Sequence, residues 1–369
     1  TYRDGRPTGV HDIFGSSESS IAFSYDYFEV GLTDAAGGWS SVAGRTLSTL
    51  GDQLKRPAGR PGLIKQGSAT ALALSDQSVD AVVTDPPYDD MIDYSDASDL
   101  YFVWLKRALI TAVPDMATTA HPLGVQEKDL EIIVKKGGAG TDDHRTKSFY
   151  DAMLASAFRE ASRVLRPDGV MTIVFGHGDP EVWHRLLTAI SAAGLILTGS
   201  WPARTEKGGR VGSANIQTIL TLACRPAPTD RHPGRVADVD AEVEREIRDR
   251  RPLWESAGLA LTDQLMASAG PAMEVVGRYS EVRDKTGVPV ALDRYLPLAR
   301  RFVEEAADIR IDTLPLETFD ARTRFALFWV KVNGRAVSSA SEARWHRLAS
   351  DLSDEDTNGL LKKVPKGVR

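Results

Sequence analysis

The sequence has almost no cysteine, since Cys224 is the only one among 369 residues. A single thiol excludes an internal disulfide framework and a zinc site built from several cysteines. A reducing compartment is the default for such a chain, so we expect a cytoplasmic protein. We also predict no metal ion in the functional site.

Long apolar runs and an excess of basic residues are missing as well. No window approaches the apolar length of a membrane span and nothing resembles a signal peptide, so we expect no membrane partner. The formal net charge of −6 excludes a chain-wide basic field, and contacts with nucleic acid would need local basic patches. An initiator Met is also missing, because the chain opens on Thr1, and we expect a piece of a longer protein.

The sequence does contain enough apolar material for more than one domain. Hydrophobic residues make up 42% of the chain, and chains of this length bury a large core. We predict an N-terminal helical and loop segment at 1–62, an α/β core at 63–227 with an insert at 114–147, and a helical C-terminal extension at 228–369. Linkers rich in Pro and Gly set the two domain boundaries.

Hydrophobic periodicity predicts strands and helices that alternate through the core. The predicted strands are 63–69, 79–84, 170–175, 195–201 and 216–224, and the predicted helices are 20–30, 41–54, 94–113, 149–165 and 180–193. Gly194 suits the end of the last helix, because glycine adopts a left-handed conformation without strain. Trp104 and Trp183 have helical spacing to apolar neighbours and are expected in the core. The last two strands should form an antiparallel pair.

The most informative motif is Asp85-Pro86-Pro87-Tyr88, directly after the apolar run 79–84. The run is β-branched, which is typical of a buried strand in an α/β sheet. A chain that leaves such a strand at its carboxyl end enters the crevice where open α/β sheets bind ligands. The motif supplies one carboxylate, two carbonyls without competing N–H groups and one aromatic face. That set suits a planar base with an amino group.

The chemistry of an exocyclic amine explains why these groups are needed together. The nitrogen lone pair is delocalised into the base, which makes the amine a poor nucleophile. Acceptors at Asp85 and at the carbonyl of Pro86 would each take one amine hydrogen and free the lone pair to attack a methyl sulfonium. Tyr88 would stack on a base that has left its helix. The simpler alternative is a proline-rich turn that only ends a strand.

These residues resemble the amino-group S-adenosylmethionine-dependent DNA methyltransferases, in which Asp-Pro-Pro-Tyr is the catalytic motif. The stretch 78–88, followed by 93–105, is similar to the large adenine-specific DNA methylases. These are long bacterial and archaeal proteins with an uncharacterised N-terminal domain. Segments at 200–206 and 270–274 fit that group too, and the resemblance covers most of residues 10–330.

The resemblance implies a fold, a cofactor and partners. It implies a Rossmann-like class I methyltransferase sheet in the α/β core, of which this chain carries the C-terminal half, with a mostly helical C-terminal extension. It implies S-adenosyl-L-methionine as cofactor and DNA as substrate, with adenine N6 favoured over cytosine N4 as the target. Since members of the group often lie beside defence genes, partner proteins from a restriction-modification or phage-defence system are a further expectation.

One part of the family pattern is missing. A methyltransferase needs a Gly-rich turn after its first strand, usually Phe-x-Gly-x-Gly, so that the amino-acid part of the cofactor can approach the backbone. Gly37-Gly38 lacks a preceding apolar strand, and the run 137–140 would require a circularly permuted order. We interpret 137–140 as part of a flexible lid and expect the cofactor turn on sequence outside this chain.

Other residues are candidates for the cofactor and base pockets. Cofactor contacts are predicted at Gly67, Ser68, Ala69, Thr84 and Asp85. Ser68 would offer a hydroxyl for hydrogen bonding, although an ordinary turn is the alternative. Base-pocket or DNA contacts are predicted at Tyr94, Asp96, His177, Arg204, Lys207 and Arg210. The basic residues among them suit phosphates, but charged runs are more often solvated surface.

Two other functions stay open. RNA methyltransferases that act on guanine N2 use a similar tetrapeptide, but no basic RNA-binding appendage is visible in the sequence. A non-catalytic, target-binding fragment would also lack the glycine turn. A DNA amino-methyltransferase fits the residues best, and the isolated chain could be inactive without the missing turn.

Overall fold

A computed structural model describes most of the chain. The residues outside the description are 1, 4–5, 8–37, 57–58, 61, 64, 66, 91, 113–123, 136–143, 177–179, 205–212, 215–217, 307–309, 312–313, 316–317, 339, 351 and 365–366. The predicted helix at 20–30 and the predicted lid at 137–140 therefore lie outside the described residues. The chain divides into two compact units. One contains Thr1–Gly67 and Asp90–Asp143, and the other contains Ser68–Asp89 and His144–Arg369.

The described residues of the first unit form two helices and one short hairpin. Its elements are β1 (Tyr2–Arg3), β2 (Arg6–Pro7), α1 (Trp39–Leu54) and α2 (Tyr94–Leu109), with β1 and β2 paired antiparallel. The two helices predicted in these regions are therefore confirmed.

Helix α2 overturns one prediction about the core. Trp104 was expected to be buried, but its side chain is 70% exposed. The reason is that α2 buries only Ser95 of its described residues, so its apolar spacing does not face a core. Tyr101 and Leu105 are exposed beside Trp104.

The second unit contains the main sheet and the remaining helices. Its strands are β3 (Val79–Thr84), β4 (Leu165–Phe175), β5 (Leu195–Arg204), β6 (Ser213–Ala214), β7 (Thr218–Pro226), β8 (Gly234–Arg235), β9 (Val282–Arg283), β10 (Arg310–Ile311), β11 (Leu314–Pro315), β12 (Val337–Ser338), β13 (Lys363–Val364) and β14 (Gly367–Val368). Its helices are α3 (Lys147–Val164), α4 (Pro180–Ala192), α5 (Val236–Ser256), α6 (Leu261–Ala267), α7 (Ala269–Gly277), α8 (Tyr295–Ala306), α9 (Ala321–Asn333) and α10 (Ala340–Ala349), with a 3₁₀ turn at Leu292–Arg294.

The main sheet has four strands in the order β3-β4-β7-β5. β3 is parallel to β4, with Val82 opposite Met171. β7 runs antiparallel to both β4 and β5, so the predicted antiparallel pair is confirmed. Short strands form a second sheet in the order β13-β14-β12-β6, and β8 pairs with β9 and β10 with β11. The chain therefore has a mixed α/β fold.

β3 contradicts the prediction of a buried strand. Among the described residues it pairs with β4 alone and so lies at an edge of the sheet. Val83 is 75% exposed, and Asp80 and Ala81 are also exposed. The buried strand is β4, whose Ile173 and Phe175 are completely inaccessible to solvent.

Two predicted strand boundaries also change. The described residues of 63–69 form no strand, and the N–H of Ala71 instead donates to the carbonyl of Ser68 over 3.2 Å, which closes a turn. β4 begins at Leu165 rather than at residue 170, directly after α3 ends. Periodicity alone does not detect either change, because both occur where small residues or Pro and Gly interrupt the apolar pattern.

Helices α3 and α4 form as the sequence predicts. The hydroxyl of Thr146 accepts a hydrogen bond from the N–H of Phe149 and caps the first turn of α3. Apolar residues at helical spacing then face the core, including Leu154 and Phe158. Gly194 follows α4 with φ +70°, which confirms it as the helix end. Trp183 is buried in the core as predicted.

The region after residue 235 is mostly helical, as expected. α5 buries Val239, Val243 and Ile247 at helical spacing, and α7 is buried from Ala269 to Val276. None of the described helices could span a membrane, because none combines the required length and apolarity. The predicted domain boundaries at residues 62 and 227 stay predictions.

A buried polar group, the Glu274 cluster, joins α5 and α7 to β5. It consists of Ser200, Arg250, Gly270 and Glu274. The hydroxyl of Ser200 donates to Oε1 of Glu274 over 2.7 Å, and Arg250 binds both carboxylate oxygens at 2.9 and 2.5 Å. A Cβ at Gly270 would lie 1.9 Å from Oγ of Ser200, so only glycine fits. Ser200 therefore meets Gly270 and Glu274 in space, and all three belong to segments behind the family resemblance.

Candidate acceptor loop at the end of strand β3

The acceptor loop, residues Asp85 to Asp89, begins where β3 ends. β3 and β4 are parallel, so their carboxyl ends lie at the same edge of the sheet. Thr84 is opposite Ile173, which brings the loop beside Phe175, the last residue of β4. The motif therefore occupies the carboxyl end of a strand, where open α/β sheets bind ligands.

Asp85 and Tyr88 contact each other within the loop. The hydroxyl of Tyr88 donates to Oδ1 of Asp85 over 2.7 Å. Asp85 is exposed to solvent, Tyr88 is half-buried and Pro86 is buried. The carboxylate is thus held at the surface by a side chain of its own loop.

An aromatic series connects the loop to the core. The ring of Tyr88 meets Phe175 edge-on with 5.0 Å between centroids. Phe175 meets Trp183 of α4 in the same manner at 5.1 Å. Edge-to-face pairs at these distances are favourable beyond the area that they bury, so the Tyr88 ring rests on a rigid support.

Tyr150 of α3 holds the backbone of the loop. Its hydroxyl donates to the carbonyl of Pro87 over 2.7 Å, and its side chain is almost fully buried. Burial raises the pKa of Tyr150 to about 12, and a hydrogen bond from the backbone of Asp89 opposes that shift only in part. The phenol therefore stays protonated and remains a donor at neutral pH.

Arg185 of α4 holds the last residue of the loop. Its Nη2 lies 2.5 Å from Oδ1 of Asp89, and both side chains are buried. Its Nε lies 3.6 Å from Oδ1 of Asp151. Burial raises the pKa of Asp151, while the charge of Arg185 acts in the opposite direction. Asp89 has φ +54°, a left-handed conformation that costs free energy for a residue other than glycine. The buried ion pair keeps the loop in that conformation.

Some hydrogen-bond acceptors of the loop are already used by side chains of α3 and α4, and others are not. Tyr150 and Arg185 engage the Pro87 carbonyl and the Asp89 carboxylate. In the described part of the chain, no hydrogen bond ends on the carbonyl of Pro86. The acceptors that Tyr150 and Arg185 leave unused are the exposed Asp85 carboxylate, which Tyr88 contacts, and the carbonyl of the buried Pro86. Such a pair can accept two hydrogens from one amino group.

The predicted cofactor residues before β3 belong to a surface turn. The hydroxyls of Ser68 and Thr70 lie 2.8 Å apart, and the N–H of Thr70 donates to Oγ of Ser68 over 3.2 Å. The segment continues to Leu72, whose N–H donates to Glu160 of α3. Glu160 lies about 15 Å along that helix from Tyr150. Gly67 belongs to the first unit and Ser68 and Ala69 to the second.

Tyr94 and Asp96 lie in the first turn of α2 in the first unit. Asp96 forms ion pairs with Lys128 and Lys135. Burial alone would raise the pKa of Asp96, but hydrogen bonds and charge from the two lysines lower it. Asp96 thus holds the described part of the predicted insert against α2. A role at the entrance of a base pocket stays a prediction.

The remaining predicted contacts cannot be placed. His177, Lys207 and Arg210 lie outside the described residues. Arg204 ends β5, and the position of its side chain is likewise outside the description.

The single thiol supplies no nucleophile to this site. Cys224 is buried in β7, and burial raises its pKa to about 12, so it is not a nucleophile at neutral pH. Within the described ranges, no group of three or more His, Cys, Asp or Glu side chains could hold a metal ion.

Comparisons with known proteins add no family. No protein-family model matches the chain, and no curated protein matches it either. The resemblance to adenine-specific DNA methylases therefore stays a prediction from the residues quoted above.

Sequence reasoning missed four residues that support the loop: Asp89, Tyr150, Phe175 and Arg185. Tyr150 belongs to the apolar stripe of α3, where a tyrosine is indistinguishable from ordinary core. Arg185 lies on the amphipathic helix α4, where an arginine is normally solvated. Asp89 directly follows the tetrapeptide, and that adjacency was the one available signal.

Proposed function

We propose that this chain is the catalytic part of an S-adenosylmethionine-dependent DNA methyltransferase. It acts on an exocyclic base amine, with adenine N6 favoured over cytosine N4. The observation that supports the proposal is the acceptor loop. Asp85 and the carbonyl of Pro86 are available at the carboxyl end of β3 beside the ring of Tyr88, while α3 and α4 hold the rest of the loop.

The proposed chemistry uses both available acceptors. The carboxylate of Asp85 and the carbonyl of Pro86 each accept one hydrogen of the amine and draw its nitrogen toward tetrahedral geometry. S-adenosylmethionine, when bound, supplies the methyl group as a sulfonium. The nitrogen lone pair forms the new C–N bond as the C–S bond breaks, and the nitrogen then loses a proton to Asp85 or to water. Catalysis in this scheme comes from positioning and local electrostatics.

Tyr88 has a second role in the proposal. A base can reach the loop only after it leaves its stack, and that step costs a few kcal/mol. The ring of Tyr88, supported by Phe175, would recover part of this cost by stacking on the base. Its hydroxyl now occupies an oxygen of Asp85, so the incoming amine would replace the hydroxyl there.

The sheet supports the finer fold prediction of a Rossmann-like methyltransferase half. β3 and β4 are parallel and connect through helical segments, and β5 and β7 close the sheet as an antiparallel pair. Among the described residues β3 pairs on one side only, so its other edge can accept further parallel strands. We place the cofactor's glycine turn on such strands, with Thr84 and Asp85 at the carboxyl end of β3 as the contribution of this chain. The turn at Ser68 and Ala69 lies toward the Glu160 end of α3, away from Tyr150 and the loop.

The experiment uses the protein that carries this sequence, expressed in a bacterial host without its own DNA adenine or cytosine-N4 methylation. DNA and RNA are digested and their nucleosides identified by mass spectrometry. We expect N6-methyladenine in the DNA with the wild-type protein and none with Asp85→Ala. Asp80→Ala is the matched control, because Asp80 is an exposed aspartate on β3, the strand that precedes the loop, and it should leave the product unchanged.

Each other result has a defined meaning. Wild-type levels of N6-methyladenine with Asp85→Ala would reject the role of Asp85. Methylated guanine in RNA, with DNA unchanged, would favour the RNA methyltransferase alternative. DNA binding without any methylated nucleoside would favour a non-catalytic target-binding protein.

A further inference from the structure

Tyr150 is buried, yet among the described residues its hydroxyl donates to the loop that we assign to catalysis. The ring belongs to the apolar stripe of α3 with Leu154 and Phe158. The hydroxyl leaves that stripe and donates to the carbonyl of Pro87 over 2.7 Å. Packing explains the ring, but it does not explain why the hydroxyl ends on the acceptor loop.

The two prolines transmit this contact to the neighbouring carbonyl. The peptide between Pro86 and Pro87 is planar, and the ring of Pro87 fixes φ near −65°. Only ψ of Pro87 then remains as a soft torsion between the two carbonyls, so holding the carbonyl of Pro87 restricts the direction of the Pro86 carbonyl. A loop without the prolines would lose this coupling, because its φ angles would vary.

The far side of the loop is held as well. Asp89 is buried at φ +54° and bound to Arg185, and Tyr88 rests on Phe175. Tyr150 thus holds Pro87 directly before two residues, Tyr88 and Asp89, that are themselves held. A small displacement of the Pro86–Pro87 peptide is therefore not taken up by the residues after it.

We propose that Tyr150 is a positioning residue, which aims the carbonyl of Pro86 at the target amine through its hydrogen bond to Pro87. The inference rests on the proposed methyl transfer and adds a residue that the tetrapeptide does not contain. Tyr150 itself touches neither the base nor the cofactor in this scheme.

The test compares three variants with the wild-type protein. Tyr150→Phe keeps the ring and removes the donor. Tyr279→Phe is the matched control, because the hydroxyl of Tyr279 donates to Glu242 over 2.7 Å away from the loop. Asp85→Ala reports on the methyl transfer itself. Activity is measured as transfer of labelled methyl from S-adenosylmethionine to bacterial DNA that was amplified in vitro and is therefore unmethylated.

We expect Tyr150→Phe to lower kcat by about tenfold or more, because misplaced reacting groups cost rate rather than affinity. KM values for DNA and S-adenosylmethionine should stay within about twofold of wild type, as for loss of an interaction that matters in the transition state. Tyr279→Phe should change neither. Loss of folded protein would also lower the apparent kcat at constant KM, so each rate is normalised to the folded fraction, measured by thermal unfolding of the same preparation.

A second measurement keeps the test independent of folding. A fluorinated tyrosine at position 150 has the same shape, and its phenol ionises at a lower pH. We expect the alkaline limb of the pH–rate profile to move to lower pH, since the ionised phenol cannot donate to Pro87.

Four results would overturn the inference. An unchanged kcat for Tyr150→Phe, with activity lost in Asp85→Ala, would reject positioning and leave the methyl transfer in place. An unchanged pH–rate profile with the fluorinated residue would do the same. Absence of methyl transfer by the wild-type protein, or full activity of Asp85→Ala, would reject the proposed function together with the inference.

Discussion

At the β5 edge of the main sheet, α7 is buried from Ala269 to Val276 and packs against the strand. At the β3 edge, Val83 remains 75% exposed and the strand pairs on one side only among the described residues. The Glu274 cluster fastens the first edge through buried hydrogen bonds. The second edge instead carries the acceptor loop, whose Asp85 faces solvent.

The difference separates residues that maintain the fold from residues available for chemistry. A covered edge with buried polar contacts tolerates little change, because each group there has a fixed partner. An uncovered edge can bind another strand or a ligand without first losing contacts. The acceptor loop combines both properties, since Pro87 and Asp89 are held by buried side chains and Asp85 is exposed. Substitutions at the two edges should therefore affect stability and activity differently.

The largest stability effect is expected at the anchor of the loop. Arg185→Met removes the partner of Asp89, and both side chains are buried. Leaving a buried charge without its partner typically costs about 3 kcal/mol or more. Chemical denaturation measures the change in the free energy of unfolding.

Arg166→Met is the matched control for that variant. Arg166 also pairs with an aspartate, Asp80, but both side chains are largely exposed. Exposed pairs contribute at most about 1 kcal/mol. Equal losses for the two variants would contradict the view that burial of Arg185 and Asp89 anchors the loop.

A smaller effect is expected at the covered edge. Gly270→Ala places a methyl group 1.9 Å from Oγ of Ser200, so β5 and α7 must move apart. Overpacking of this kind costs about 2 kcal/mol, and the unfolding midpoint should fall accordingly. Methyl transfer per folded molecule should stay unchanged, because the Glu274 cluster is at the edge away from the loop.

Gly44→Ala provides the comparison in a helix with open space. Nothing lies within 4 Å of a Cβ built at Gly44, and alanine is favoured over glycine in helices by up to about 1 kcal/mol. A neutral or stabilising result at Gly44 together with a loss at Gly270 supports close packing at the β5 edge. Equal results at both glycines would argue against it.

The smallest effect is expected on the exposed side of β3. Val83→Lys changes an exposed side chain, and such substitutions usually alter stability by less than about 0.5 kcal/mol. A lysine on an edge strand also hinders pairing with another strand. If the open edge receives the cofactor half of the site, activity should fall although stability does not. A large loss of stability in thermal unfolding would show that Val83 is covered after all.

Local sequence signals predicted much of this fold. The apolar stripe of α3 and Gly194 as a helix end depend on neighbours within a few residues, and the local sequence pattern detects them. The position of Asp85 after a strand was predictable for the same reason. These features are local, so no knowledge of the rest of the chain was needed.

The features that were missed depend on contacts distant in sequence. β3 has the composition of a buried strand, but its exposure depends on which strands pair with it. Trp104 is spaced like a core residue, but its helix buries only Ser95 among its described residues. Tyr150 and Arg185 reach the loop from 63 and 96 residues away. A single sequence contains no signal for such partnerships.

The rate of methyl transfer by purified Asp85→Ala shows whether Asp85 carries the proposed reaction. The rate to unmethylated DNA is measured beside the unfolding midpoint of the same preparation. We expect a rate at least about a hundredfold below that of the wild-type protein, as for removal of a preorganised electrostatic contact. The midpoint should not change, because Asp85 is exposed and its hydrogen bond among the described residues is to Tyr88 of its own loop. A variant that is as active as the wild-type protein would contradict the account.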